Sequence, residues 1–351
     1  MNHSIPVIDI SADPSDVSRQ WDCAFRRYGC CIIIGHEITE AELAAMKEQA
    51  ESFFAQPLDE KMTFNYGPYG NEKGGYTPCA GEAVSQSKSQ FSGQKKSAPA
   101  PDPVESFVLT SETHQLHTDI LPISEIYFKK CEDLVHRLHV ISTRALGIPE
   151  EDEVDYFRKF YCASDENAVG TGHSSFCLRL AHYPIQKQNC HQDGGGEVRK
   201  LEDADSRPRY GAHTDYMGYT VLKPDESDWS KAVEGAGGLE VFDSEVNCWI
   251  PVRVPDSIKK NALIVNAGDL LQRWTNDRWV SPIHRVSSPL PDSAAADMSR
   301  TALVYFSGPM ADALITVCPA CCKEGKEYLS GYEPVVALDY LRSKINPTIL
   351  S

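Results

Sequence analysis

What this chain lacks narrows the field before any motif is read. In its 351 residues there is no run of about eighteen apolar residues, so no segment reads as a membrane-spanning helix. The opening stretch, Met1 to Ile10, is too polar for a secretory signal, and a cytoplasmic protein with no membrane partner is the expectation. Positive charge is scarce. Against 50 Asp and Glu stand 34 Lys and Arg, a formal net charge of −16 and a sequence pI near 5.1. Such a surface repels phosphate backbones and anionic lipid, which argues against a nucleic-acid partner. An anionic small molecule stays compatible, because one Arg in a pocket dominates locally. The twelve Cys residues lack the export signal that would make them a disulfide framework, so reduced, mostly buried thiols are expected. Cys318, Cys321 and Cys322 form a C-x-x-C-C cluster suited to zinc or to oxidant sensing, but no second Cys or His pair lies at a suitable spacing nearby.

What is present is an ordinary globular composition, 41% hydrophobic and 24% charged, with ample material for a large core. Ile5 to Ile10 alternates as a half-buried strand, Ser15 to Tyr28 has helical spacing, and Cys30 to Ile34 is a buried strand closed by Gly35. Thr39 with Glu42 makes a capping box ahead of Leu43, Met46, Ala50, Phe53 and Phe54 at the helical period. From Asn65 to Pro103 the chain is Gly-, Ser-, Lys- and Pro-rich and reads as loop, with Ser85 to Pro101 the candidate disordered piece. A helix is expected over 120–146, with His136 and His139 on a solvated face. After Gly170 the pattern changes to eight short strands: 177–183, 220–222, 239–242, 249–252, 262–265, 269–274, 281–286 and 301–306. The charged, Gly-rich stretch 186–209 interrupts them, and 334–345 reads as a closing helix. The fold class is therefore mainly β with flanking helices: a jelly-roll core behind an α/β N-terminal region. The expected division is 1–165, 166–320 as the catalytic core, and 321–351 as a C-terminal helix packed on it.

His213-Thr214-Asp215 stands directly before an expected strand, and residues i and i+2 of an extended segment reach the same side. His284 follows on another expected strand. Two imidazoles and one carboxylate on one face of an octahedron suit iron(II) and leave three positions open, as dioxygen chemistry requires. The triplet alone is weak. With 11 His and 50 acidic residues in 351 positions, chance supplies roughly 1.6 His-x-acid triplets, and His191-Gln192-Asp193 in the glycine loop is one. Context decides for His213. Arg300 heads a strand, where its guanidinium would either grip a carboxylate in a pocket or lie at the surface. Tyr183 ends the 177–183 strand and reads equally as a donor to that carboxylate or as a core tyrosine. Tyr216, Phe306 and Trp274 are candidate substrate-pocket residues and equally candidates for core packing.

In order along nearly the whole chain, further segments resemble the isopenicillin N synthase-like group of iron(II)/2-oxoglutarate dioxygenases. They are Ile5-Pro6-Val7-Ile8-Asp9, Phe25 to Gly29 running on to Gly35-His36, and Phe53-Phe54 to Lys61. Ala212 to Asp215, Gly237 to Val241, Trp249 to Val252, Val265 to Asp269, Ser281 to Val286 and Arg300 follow. The resemblance implies a double-stranded β-helix, with His213, Asp215 and His284 as catalytic iron ligands and Arg300 and Tyr183 on the co-substrate 2-oxoglutarate. Dioxygen would be the second co-substrate and succinate and carbon dioxide products. A monomer acting on a small molecule of secondary metabolism, by hydroxylation, desaturation or oxidative cyclisation, is expected. The chain departs from the family at two places: Arg-x-Ser reads Arg300-Thr301-Ala302, and Asn-Tyr-Tyr-Pro reads Ala181-His182-Tyr183-Pro184. The stretch from His284 to Arg300 is also longer, by an extension around 289–296. Rival readings are an oxidase of the same fold that uses no 2-oxoglutarate, told apart by substrate-dependent succinate release, and a non-catalytic metal-binding jelly roll, told apart by iron and 2-oxoglutarate titration.

Overall fold

The computed structural model describes residues 4–66, 74–79, 81–82, 101–149, 155–164, 168–185, 208–228, 230, 235–322 and 331–345. The stretch 85–100, most of 186–209 and the His191-Gln192-Asp193 triplet lie outside the described residues. In chain order the elements are β1 (Val7–Asp9), α1 (Pro14–Arg27), β2 (Cys30–Ile34), α2 (Glu40–Phe54), α3 (Leu58–Met62), β3 (Gly75–Thr77) and β4 (Glu105–Thr110). Next come α4 (Ser124–Leu146), α5 (Asp155–Tyr161), β5 (Cys177–Tyr183), β6 (Tyr210–His213), β7 (Tyr219–Lys223), β8 (Gly238–Asp243), β9 (Cys248–Pro251) and β10 (Leu263–Ala267). The chain ends with α6 (Asp269–Trp274), β11 (His284–Ser287), β12 (Arg300–Phe306), β13 (Leu314–Ile315), β14 (Val335–Val336) and α7 (Ala337–Ile345).

The helices begin where the caps predict. Asp13 accepts from the Ser15 and Asp16 amides, Pro14 sits in the first turn, and Val17, Trp21, Ala24 and Phe25 face inward. At α2 both halves of the Thr39–Glu42 capping box form. The long α4 stops at Gly147, whose φ of 76° is the left-handed value that glycine adopts without penalty.

Eight strands form one sheet in the order β1-β2-β10-β7-β12-β5-β4-β3, and β6-β11-β8-β9 form a second. The larger sheet thus draws strands from both sides of residue 165. Alternation divides its side chains. Cys31, Ile33, Val265, Val221, Tyr219, Leu303, Tyr305, Leu178, Leu180 and Phe107 face the helices in one large core. On the opposite face Ile32, Ile264, Leu222 and Ala302 pack with Leu239, Val241 and Ile250 of the smaller sheet. The space between the sheets is therefore lined by alternate residues of both, and the register says which.

Several expectations are corrected. Asp269 to Trp274 forms the helix α6 instead of a strand. Its first turn is set by the link before β7: the amides of Asp269, Leu270 and Leu271 donate to the carbonyls of Asp215, Tyr216 and Met217. Extended backbone here would leave those carbonyls unpaired inside the molecule. His139 is buried against Phe157 and Tyr161 instead of lying on a solvated face. The stretch 65–103 contains β3, paired with β4, rather than loop alone, and the closing helix begins at Ala337 after a short pairing of β14 with β13.

Candidate metal centre

His213 ends β6 and His284 begins β11, and the two are paired across the smaller sheet, with a bulge between His284 and Val286. Their rings lie 4.2 Å apart, centroid to centroid. Each Nδ1 faces a carbonyl two residues back, Gly211 at 2.8 Å and Pro282 at 3.0 Å. A carbonyl only accepts, so each Nδ1 donates to it and each ring turns its Nε2 toward Asp215. Each Nε2 lies 3.7 Å from the same Oδ1 of Asp215. The other carboxylate oxygen is engaged: Thr220 donates its hydroxyl to Oδ2 at 2.5 Å and Asn266 its amide at 2.6 Å. Thr220 and Asn266 are directly opposite one another on β7 and β10 and face the smaller sheet. Their side chains therefore aim Asp215 at the imidazoles.

Burial and the neighbouring His284 push the His213 imidazole down to about 3, so it is neutral near pH 7. For Asp215, burial acts to raise the carboxyl, but the two imidazoles and the Thr220 and Asn266 donors outweigh it and hold it below the usual range. One ligand atom from each of the three residues lies within 4.8 Å of the other two. The two-nitrogen, one-oxygen donor set fits iron(II).

Arg300 and Tyr183 are opposite each other on β12 and β5, with the guanidinium 4.9 Å from the tyrosine ring centroid. The expected arginine fork already has an internal partner. Nε and Nη2 of Arg300 each donate at 2.7 Å to a carboxylate oxygen of Asp228, while Nη1 is buried without a partner among the described residues. The two departures noted in the sequence, Ala181 and Ala302, turn out to be directly paired. Arg209, 3% exposed, donates to the Met298 carbonyl, and its Nε has no partner among the described residues. Burial and the nearby Arg300 lower its guanidinium from the ordinary value.

Of the three pocket candidates, Phe306 is opposite Thr220 and faces the space between the sheets. Tyr216 packs from the edge against the helix-side core. Trp274 does not line the space: it is 1% exposed, edge-on to Phe157 and Phe160 and parallel to Tyr161. The residues sequence reasoning missed are Asp228, Arg209, Arg179, Tyr210 and Glu82. Each meets its partner across a long sequence separation and carries no local pattern that would have marked it.

Two families of known sequences match this chain. The N-terminal family of non-haem dioxygenases described from morphine synthesis matches residues 5–119, and the 2OG-Fe(II) oxygenase superfamily matches residues 175–309. Among named relatives, the 2-oxoglutarate-Fe(II) type oxidoreductase ppzD of Metarhizium rileyi is 25% identical, over 92% of this chain and 83% of its own. The proline hydroxylase buaE of Petromyces alliaceus is 27% identical, over 93% and 91%. Gibberellin 2-beta-dioxygenase 4 of Arabidopsis thaliana is 26% identical, over 90% and 83%. In fold, the chain is similar to a full-length Neurospora crassa protein crystallised in complex with alpha-KG and thymine. The TM-score is 0.73 at 22% identity, covering 97% of this chain and 96% of that one.

Proposed function

Because this chain belongs to the 2OG-Fe(II) oxygenase superfamily and is a 2-oxoglutarate-dependent dioxygenase, we propose that it oxidises a small metabolite at His213, Asp215 and His284. The observation that carries the residue assignment is the convergence of three metal-ligating side chains whose remaining polar atoms are all engaged elsewhere. The two sheets are read as a double-stranded β-helix, which encloses the site and excludes water from it.

Iron(II), 2-oxoglutarate and dioxygen together supply an oxidant, with succinate and carbon dioxide as the co-substrate's products. The chain's own part is positional. His213 and His284 offer Nε2, and their Nδ1 protons fix the ring planes. Asp215 offers Oδ1 alone, because Thr220 and Asn266 hold Oδ2. The unpartnered Nη1 of Arg300 and the Tyr183 hydroxyl hold the far carboxylate of 2-oxoglutarate, while Asp228 neutralises the other edge of the fork. Two of the relatives above are named for proline and for gibberellin, both small molecules, which supports a small-molecule substrate and a role in secondary metabolism. Hydroxylation, desaturation and cyclisation all draw on the same centre.

Anaerobic addition of iron(II) and 2-oxoglutarate to the purified chain is expected to give a weak visible charge-transfer band, and aerobic turnover to release succinate. Asp215→Ala is expected to lose both. A folded Asp215→Ala protein that keeps the band would reject this ligand set.

A further inference from the structure

Beside the metal ligands lies a polar cluster that neither iron nor 2-oxoglutarate needs. Arg179 sits on β5 in a row with Val108, Val304, Leu222 and Ile264, all facing the smaller sheet. In this apolar row it is the one charged residue. Its Nη1 donates to the Tyr210 hydroxyl at 2.9 Å and its Nη2 to Oε1 of Glu82 at 2.7 Å. The Tyr210 hydroxyl in turn donates to Oε2 of Glu82 at 3.1 Å, closing a ring of three. Glu82 comes from the segment beyond β3, so a carboxylate is delivered to the sheet from outside it. The Nε of Arg179 is buried and has no partner among the described residues.

The cluster adjoins the chemistry. The Tyr210 ring meets the His213 ring edge-on at 4.9 Å between centroids. The Arg179 and Glu82 side chains are 15% and 20% exposed, and those of His213 and His284 10% and 11%. A part-buried ion pair is a poor device for stability alone, since apolar residues of similar volume are often no less stable in its place. Here the neighbouring positions of the row are already Val, Leu and Ile. The pair is explained by a ligand that bears the complementary charges.

We propose that Arg179 and Glu82 recognise the substrate, and that the substrate is a small zwitterion of amino-acid type carrying both a carboxylate and a basic amine. The carboxylate takes the unpartnered edge of Arg179, the ammonium takes Glu82, and the Tyr210 hydroxyl bridges them. Exchange of one internal ion pair for two intermolecular ones keeps the net charge of the site unchanged, so binding leaves no buried charge alone. A neutral substrate gains nothing from the pair and has to leave it intact. This inference rests on the proposed function, and its test separates the two.

The test uses the full chain with iron(II) and 2-oxoglutarate. The proteinogenic amino acids are each compared with their methyl esters and N-acetyl derivatives. Perturbation of the anaerobic charge-transfer band and stimulation of succinate release are the readouts. At least one free amino acid is expected to perturb the band, and its ester and N-acetyl forms to bind roughly 10- to 100-fold more weakly. Arg179→Gln is expected to erase the advantage of acid over ester, Arg179→Lys to restore part of it, and Glu82→Gln to erase the advantage of amine over amide. Thermal melts confirm that each variant is folded. If no free amino acid perturbs the wild-type band, or if the blocked derivatives bind as well as the free ones, the inference is overturned while the dioxygenase reading stands. Absence of the band itself, without any amino acid, strikes at that reading instead.

Discussion

Asp215 has four neighbours that matter, two imidazoles on one oxygen and two donors on the other, and this division makes Thr220 testable. Thr220→Val keeps the shape and removes one donor, so the carboxylate is freed to turn. Iron(II) affinity is expected to fall about 10- to 100-fold while the melting temperature changes little, as measured by anaerobic titration and a thermal scan. Asp228 offers a second test at the same scale. Asp228→Asn leaves the buried Arg300, 1% exposed, without its counter-charge, which costs about 3–5 kcal/mol. The variant is expected to melt lower than wild type and to be stabilised more strongly by added 2-oxoglutarate, whose carboxylate replaces the lost charge. An equal or smaller ligand-induced shift would count against Arg300 as the co-substrate's holder. His213 and Asp215 were legible because an i, i+2 pair needs only an extended backbone, and His284 because its flanking residues resemble a known segment. Asp228 and Glu82 were not. Their roles depend on where a loop returns across the sheet, a distance in space with no counterpart in spacing along the chain.

At the level of elements, four short strands were read at nearly their observed bounds: β5, β7, β8 and β12 all pack an apolar side against the helices or the second sheet. The run Asp269 to Trp274 misled because six residues are too few to separate a period of two from one of 3.6. Its helix is imposed from outside, by the carbonyls of 215 to 217. The turn after β7 carries a different kind of prediction. Asp225 accepts from the Thr301 amide at the start of β12, from both the amide and hydroxyl of Ser227, and lies 3.1 Å from Lys47 of α2. Burial works against ionisation, but Lys47 and these donors prevail and bring the carboxyl down to about 2 from 3.8. A folded pKa below the unfolded one stabilises the fold fully above pH 4 and progressively less as the pH falls toward 2. The contribution is about 2 kcal/mol. Urea melts of wild type and Asp225→Asn are therefore expected to differ most at pH 6 and to converge between pH 4 and pH 2.5. A gap that stays constant over that window would remove the ionised carboxylate from the explanation.

For the molecule as a whole, the question is whether the metal holds the fold or the fold holds the metal. The helix-side core is built around Trp21, Phe25, Phe107, Leu138 and Trp274, and a second cluster lies between the sheets around Ile32, Leu222, Val241 and Ile264. Both bury their side chains by strand register and helix packing, which exist without an ion. This order of assembly was only partly legible in the sequence. Which segments are strands followed from their pattern, but that β10 lies between β2 and β7 follows from pairings more than forty residues apart, which no local rule predicts. A preformed site on an independent core binds its ion by mass action, unlike a zinc finger, which is unfolded without metal. Chelator-treated protein is therefore expected to keep its far-ultraviolet circular dichroism and a cooperative melt. At about a hundred times its dissociation constant, a ligand adds about 2.7 kcal/mol, a rise of several degrees for a chain this size. Iron(II) and 2-oxoglutarate together should raise the midpoint more than either alone, since each completes the other's site. In Asp215→Ala that rise should disappear, while the apoprotein melt stays cooperative. Loss of cooperative melting on chelation of the wild type would reverse the order and make the metal a structural element.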